Sequence, residues 1–247
     1  MKRYFFECCY DGSNYHGWQF QPNAVSIQEI IQKSIHTFLH ESKVSITGCG
    51  RTDTGVHAKQ YFFHFDSSVD LDLNTIVYKL NTILPKDISV QEVWVVPSDF
   101  HARFSAEKRT YKYFITNKKN PFKDKYAYLI KESLDLVAMN KCADELIKHK
   151  DFTSFSKVNT DVKNNICDVF ECFWIQKDSN LIFQISANRF LRNMVRAIVG
   201  TMIDVGRGKL SFNDFNKIIN DKNRSNAGFS VPAKGLFLYE IKYPNWP

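Results

Sequence analysis

Cys167-Asp168-Val169-Phe170-Glu171-Cys172-Phe173-Trp174-Ile175-Gln176, Lys177-Asp178-Ser179-Asn180 and Leu181-Ile182-Phe183-Gln184-Ile185-Ser186-Ala187 form the continuous stretch that decides the fold. Two runs rich in aromatic and aliphatic residues flank four polar turn formers, which reads as a β-hairpin with strands over about 167–176 and 181–187. Hairpin strands are antiparallel. Outward from it, a helix spans about 134–149 on one side. On the other, a helix runs from about 190 to 205, Ser211-Phe212-Asn213-Asp214 opens a second, and 236–241 is a final strand.

The first half repeats the theme. A strand covers 3–10, and Ser26-Ile27-Gln28-Glu29 is a capping box opening a helix with Ile27, Ile30, Ile31, Ile35, Phe38 and Leu39 on one face. Strands follow near 43–47 and 59–65. Asp72 caps a helix lined by Leu73, Ile76, Val77, Leu80, Ile83 and Leu84 until Pro85, and strands near 88–96 and 107–116 close the half. Helices mixed with hairpin-connected strands give an α+β class: two similar α/β halves, 1–117 and 118–247, with a mostly antiparallel central sheet read as continuous and helices on one face. The polar break Asn117-Lys118-Lys119-Asn120-Pro121 sets that boundary.

Composition narrows the function classes. With 44 % hydrophobic and 24 % charged residues, 10 Gly and 7 Pro, the 247-residue chain suits an ordinary globular fold. The richest apolar segment, 190–205, is interrupted by Arg192, Asn193 and Arg196, so no spanning helix and no membrane partner are expected. Glu7 breaks the apolar run behind Lys2-Arg3 before a signal peptide can form, and the chain is read as cytoplasmic. Six cysteines without a Cys-x-x-Cys pair read as buried thiols, and no zinc spacing occurs. The excess of 33 Lys and Arg over 26 Asp and Glu, a net +7, favours polyanionic partners.

Three places carry candidate chemistry. Gly48-Cys49-Gly50-Arg51-Thr52-Asp53-Thr54-Gly55-Val56-His57 joins two expected strands with glycines that let backbone turn tightly and approach a ligand, while Arg51, Thr52, Asp53 and His57 add charge and hydrogen bonds. A turn in which Asp53 merely caps its own backbone is the bland alternative. It is neither a dinucleotide fingerprint nor a P-loop, and Asp53 with His57 lacks a third metal ligand. The second place, Phe100-His101-Ala102-Arg103-Phe104-Ser105-Ala106 leading into the strand over 107–116, places Arg109, Tyr111, Tyr113 and Ile115 on one face and Lys108, Thr110 and Lys112 on the other. Aromatics among cations can stack a base and hold its phosphates. Tyrosines covering a sheet would give the same pattern. The third is the helix at 190–205, where 100° per residue brings Arg189, Arg192 and Arg196 onto one flank of an apolar core face, calling for an anionic partner.

Tyr10-Asp11-Gly12-Ser13-Asn14-Tyr15-His16-Gly17-Trp18-Gln19, Gly50-Arg51-Thr52-Asp53-Thr54-Gly55-Val56-His57-Ala58, Phe100-His101-Ala102-Arg103-Phe104-Ser105-Ala106 and Met194-Val195-Arg196 together resemble the tRNA pseudouridine synthase A family. Asp151-Phe152-Thr153-Ser154-Phe155 and Pro232-Ala233-Lys234-Gly235-Leu236-Phe237-Leu238 continue the resemblance in family order. It departs at Thr54, where the family usually has alanine, and at Lys234. The resemblance implies a cofactor-independent isomerase that converts uridine to pseudouridine at positions 38, 39 and 40 of the tRNA anticodon arm, as a homodimer, with an RNA-binding cleft on the sheet face opposite the helices. It further implies Asp53 as the catalytic carboxylate, Tyr111 as the stacking tyrosine, Arg196 as the arginine paired with Asp53, and Arg51 as the base-flipping arginine. Arg103, Arg109, Arg189 and Arg192 are expected to bind RNA.

The chemistry suits these residue types. A carboxylate can either attack C1′ or remove a C2′ proton to give a glycal, while an arginine keeps it ionised and an aromatic ring holds the freed base. Two rivals remain: a noncatalytic RNA-binding module, which has no use for a carboxylate facing phosphates, and a hydrolytic glycosidase, which wants a second carboxylate, for which Glu107 is the sole nearby choice.

Overall fold

Alternation along Lys2–Tyr10, with Tyr4, Phe6 and Cys8 on one face and Phe5, Glu7 and Cys9 on the other, produces the strand that organises the first half of the chain. The structure is a computed structural model and describes residues 1–39, 44–158 and 163–244. The chain forms two compact units, one from Met1–Glu107 with the segment from Leu238 onward, the other from Lys108–Phe237.

In the first unit β1 (Lys2–Tyr10) lies antiparallel between β3 (His57–Ser67) and β4 (Ile88–Val96). The strand order is β4-β1-β3-β9, with β9 at Leu236–Lys242 and the short β2 (Thr47–Gly48) also on β3. The strand expected near 43–47 is therefore only β2, with 44–46 irregular and residue 43 outside the described residues. Register opposes Tyr4 to Phe65 and Phe6 to Phe63, so one face is an aromatic layer in which the Phe6 and Phe63 rings stack at 5.0 Å. The other face is also covered. Phe5 meets Phe62 at 5.4 Å and is capped edge-on by Phe100 and Tyr243.

The two helices of this unit start where sequence places them. Ser26 Oγ accepts the Glu29 amide at the start of α1 (Ile27–Leu39), and Asp72 caps α2 (Leu73–Ile83) through the Asn74 amide. Of the expected α2 stripe, Ile76 and Leu80 are buried, whereas Leu73 and Ile83 at its two ends are exposed.

The second unit is built on the hairpin. β7 (Val169–Lys177) and β8 (Asn180–Ala187) pair antiparallel, and Asp178 takes the left-handed φ of 55° in the turn. β5 (Lys108–Thr116) pairs with β8 from Arg109↔Ala187 to Thr116↔Asn180, which draws β5 into this unit. The units accordingly divide ahead of β5, at Glu107 and Lys108, whereas the sequence reading divides the halves after that strand. The two-residue β6 (Tyr128–Leu129) is parallel to β5.

α3 (Leu136–Leu146) packs on β7, where the Asn140 side chain brackets Trp174, accepting its amide and donating to its carbonyl. α4 (Met194–Gly206) is buried along almost its whole length, and α5 (Phe212–Asp221) opens with a complete capping box between Ser211 and Asp214. Helices and mostly antiparallel strands give the α+β class.

The start of α4 is a further correction. The helix read from 190 begins at Met194, because Asn193 sits in the left-handed region with φ 67° and cannot continue a right-handed helix backwards. Arg189 and Arg192 therefore precede α4 in irregular chain and do not share a helical flank with Arg196.

Candidate active site

In the first unit the loop from Gly48 to His57 rests on an aromatic bed. Trp18 stacks on Tyr61 at 4.0 Å, and Tyr10 lies 5.5 Å from Tyr61. A side chain at Gly48 would overlap the Trp18 ring and the Tyr61 hydroxyl, so glycine is required there for packing. Tyr61 donates its hydroxyl to the Gly50 carbonyl. Thr52 turns inward, its Oγ1 2.9 Å from Tyr10 Oη and its carbonyl accepting the Trp18 amide at 3.4 Å.

His57 is also internal, at 1 % exposure. Its Nδ1 lies 3.1 Å from the Gly12 amide and 3.0 Å from Asp11 Oδ1. The Gly12 amide donates to Nδ1, and the Asp11 carboxylate stands beside the same nitrogen. Gly55, at φ 76°, turns the chain back between them, with its amide on the Tyr15 carbonyl. Of the four polar side chains singled out in this loop, Thr52 and His57 hold it in place, whereas Arg51 is exposed and Asp53 half-buried at its tip. Asp53 is held through its backbone, its carbonyl accepting the Val56 amide at 3.1 Å.

A second turn of this unit carries Arg103, which is exposed. It is closed by paired bonds between His101 and Ser105, with the Ser105 amide on the His101 carbonyl and the His101 amide on Ser105 Oγ, both at 2.9 Å. Buried His64 accepts the Ala102 amide at 3.2 Å, and burial pushes its imidazole pKa down to about 4.

The second unit carries the other expected residues. Tyr111 faces inward from β5, 9 % exposed, with its ring edge-on to Phe190 at 5.0 Å. Arg109 shares its strand face, and its Nη1 donates to the Asn188 carbonyl at 2.7 Å. Arg189 Nη1 reaches Asn164 Oδ1 at 3.3 Å, and Arg192 is exposed. Arg196, half-buried in the first turn of α4, donates Nε to the Val231 carbonyl at 2.7 Å, while its own carbonyl accepts the Val231 amide at 3.2 Å. This double tie fixes the guanidinium to the segment following Arg224. Tyr113, expected on the Tyr111 face, is core: it is fully buried, and its hydroxyl donates to the Pro232 carbonyl.

A family profile described as tRNA pseudouridine synthase matches residues 9–105 and 143–244. The chain belongs to the tRNA pseudouridine synthase family. It is 52 % identical over 246 residues to the tRNA pseudouridine synthase A of Bacteroides fragilis, covering 99 % of this chain and 97 % of that one. It is similarly 51 % identical to its namesake in Bacteroides thetaiotaomicron over 99 % of this chain and 91 % of that protein, and 38 % identical to that of Bacillus subtilis over 96 % and 97 %. The matched segments of this synthase contain Arg51, Asp53, Arg103, Arg189, Arg192 and Arg196, while Arg109 and Tyr111 lie between them.

Sequence reasoning overlooked the supports. Tyr10 and Trp18 belong to the first quoted motif, but nothing in it sets them with Tyr61 of β3 beneath the loop. His64 gave no signal beyond a histidine within a strand of aromatics.

Proposed function

We propose that this enzyme isomerises uridine to pseudouridine at positions 38, 39 and 40 of the tRNA anticodon arm, with Asp53 as its catalytic carboxylate. The observation that carries the reading is the setting of Asp53: a half-buried carboxylate in a glycine loop tied through its backbone to β3 and the Tyr15–Trp18 segment and through the Thr52 side chain to β1. Preorganised in this way, a carboxylate reaches a flipped ribose without first ordering its own loop.

The reaction breaks the bond from N1 to C1′, turns the uracil and forms a bond from C5 to C1′. The proton on C5 leaves, and N1 gains one. Asp53 serves either by attacking C1′ or by removing a C2′ proton. Tyr111, a ring with one edge on Phe190, is proposed to stack on the base while it turns, and Arg51, exposed beside Asp53, to hold the flipped strand. Arg196 is proposed to keep Asp53 ionised. Arg103, Arg109, Arg189 and Arg192 are assigned to phosphates, in keeping with the net +7 charge. A homodimer acting on tRNA in the cytoplasm completes the proposal.

The test is tritium release. The protein is incubated with unmodified tRNA carrying tritium at uridine C5, without added cofactor, beside Asp53→Asn. Release by the wild type, abolished in Asp53→Asn with melting temperature and tRNA affinity retained, is the expected result. Tight binding without release would leave an RNA-binding module, and release by Asp53→Asn near the wild-type rate would remove Asp53 from the chemistry.

A further inference from the structure

The turn from His101 to Ser105 is more tightly held than a surface connection requires. Besides the two bonds that close it, Ala102 is clamped from both sides, its amide on His64 Nδ1 at 3.2 Å and its carbonyl accepting the Tyr243 hydroxyl at 2.6 Å. His101 Nδ1 accepts two consecutive amides, those of Arg103 at 3.0 Å and Phe104 at 3.3 Å. Both imidazoles must offer a lone pair, and the depressed pKa of each, caused chiefly by burial, keeps them neutral acceptors.

What this scaffold presents is an exposed phenyl ring. Phe104 is 74 % exposed, its ring set 4.4 Å from that of His101, with the Arg103 guanidinium 5.4 Å from its centroid. A bare phenyl is costly to leave in water, and here its backbone is fixed rather than free to fold inward. A π-face beside a guanidinium suits an unpaired base with its phosphate.

Position separates this contact from the chemistry. His64, which anchors the turn, stands seven residues along β3 from His57, which anchors the Asp53 loop. At about 3.3 Å per residue, with one residue taken up by the bulge between Ala58 and Tyr61, the two anchors lie about 20 Å apart along one strand.

We propose that Phe104 and Arg103 form a second RNA contact, in which an unpaired nucleotide of the substrate tRNA outside the anticodon loop and its nearest base pairs stacks on Phe104 and places its phosphate on Arg103. His101 is the positioning residue that aims them. The inference rests on the tRNA reading above and adds a remote subsite to it.

Phe104→Ala, Phe104→Trp, His101→Leu and His101→Asn test it, with steady-state tritium release measured on full tRNA and on a hairpin trimmed to the anticodon loop and its nearest base pairs. Phe104→Ala is expected to raise KM on full tRNA about tenfold, to act on KM rather than kcat, and to cost less on the hairpin. Phe104→Trp restores the larger π-face and with it KM. His101→Leu, which removes the acceptor, should behave like Phe104→Ala, and His101→Asn, whose Oδ1 can replace Nδ1, should recover most of the loss. An equal penalty on both substrates, a failure of Trp to rescue, or a shift in oligomeric state on sedimentation of Phe104→Ala would overturn the subsite, the last by assigning Phe104 to a contact between copies. If the wild type releases no tritium, the isomerase reading fails, while filter binding of tRNA to the same variants still decides the subsite.

Discussion

Tyr61 and Gly50 satisfy one another in both directions: the Tyr61 hydroxyl donates to the Gly50 carbonyl and accepts the Gly50 amide at 3.4 Å. Burial pushes the phenol pKa far up, so the hydroxyl keeps the proton that the carbonyl needs. Gly50 immediately precedes Arg51 in the loop that carries Asp53, which makes one buried phenol the link between the stacked Trp18 ring and the loop tip.

Tyr61→Phe keeps the stacking and deletes only the hydroxyl, leaving the Gly50 carbonyl without its partner. A loss of about 1–3 kcal/mol in stability is expected, together with a fall in kcat larger than any change in tRNA affinity, because the loop tip loosens. Thermal unfolding and tritium release measure the two effects. Unchanged kcat with lowered stability would confine Tyr61 to the core.

Gly17 and Gly50 make a matched pair of glycine tests. Gly17 has φ 83°, and a Cβ there would run into the Thr52 carbonyl; at Gly50 a Cβ meets nothing within 4 Å. Gly17→Ala carries about 1–2 kcal/mol of left-handed strain before the clash is counted, and is expected to lower the melting temperature clearly. Gly50→Ala should stay within about 0.5 kcal/mol of wild type in denaturant unfolding. Equal effects would mean that the two backbones are not set as described.

These positions show what could be read from sequence and what could not. The hairpin, the Asp72 and Ser211 caps and the antiparallel class all follow from local patterns, since turn formers and capping side chains act within a few residues. The start of α4 did not follow. Phe190 and Leu191 continue its apolar period, and only the left-handed Asn193 reveals that the helix begins later. The residues of the candidate site were legible through their motifs, but the bed of Tyr10, Trp18 and Tyr61 beneath the loop was not, because it is assembled by strand register between distant segments.

Stability should fall between pH 6.5 and 4 partly through His64. Its ordinary pKa of 6.5 drops to about 4 in the fold, so in that window the unfolded chain binds a proton the native chain excludes, and its stabilising effect, complete above 6.5, is lost as pH falls towards 4. Asp66, held below the ordinary carboxylate range by Arg3, acts at lower pH, while His101, likewise depressed by burial and 4.8 Å from His64, shares the window. Melting temperature followed from pH 7 to pH 4 should therefore decline less steeply in His64→Asn, which offers an acceptor to Ala102 without titrating. An identical slope would show that another group carries the dependence.

The arginines around the start of α4 should separate into two kinds. Arg189 and Arg192 lie in irregular chain before the helix, Arg192 exposed, and are proposed phosphate ligands; Arg196 is tied to Val231 through its guanidinium and its backbone. Each phosphate contact removed lowers the slope of log affinity against log salt by about 0.7–0.9. Arg189→Ala and Arg192→Ala should therefore each flatten the salt dependence of tRNA binding by about that amount at little cost in melting temperature. Arg196→Ala strands the Val231 carbonyl and should cost about 1–3 kcal/mol in stability while leaving the salt slope near that of the wild type. Filter binding across salt concentrations, paired with thermal unfolding, reads both. A flattened slope in Arg196→Ala would place that guanidinium on the RNA backbone and count against its proposed service to Asp53.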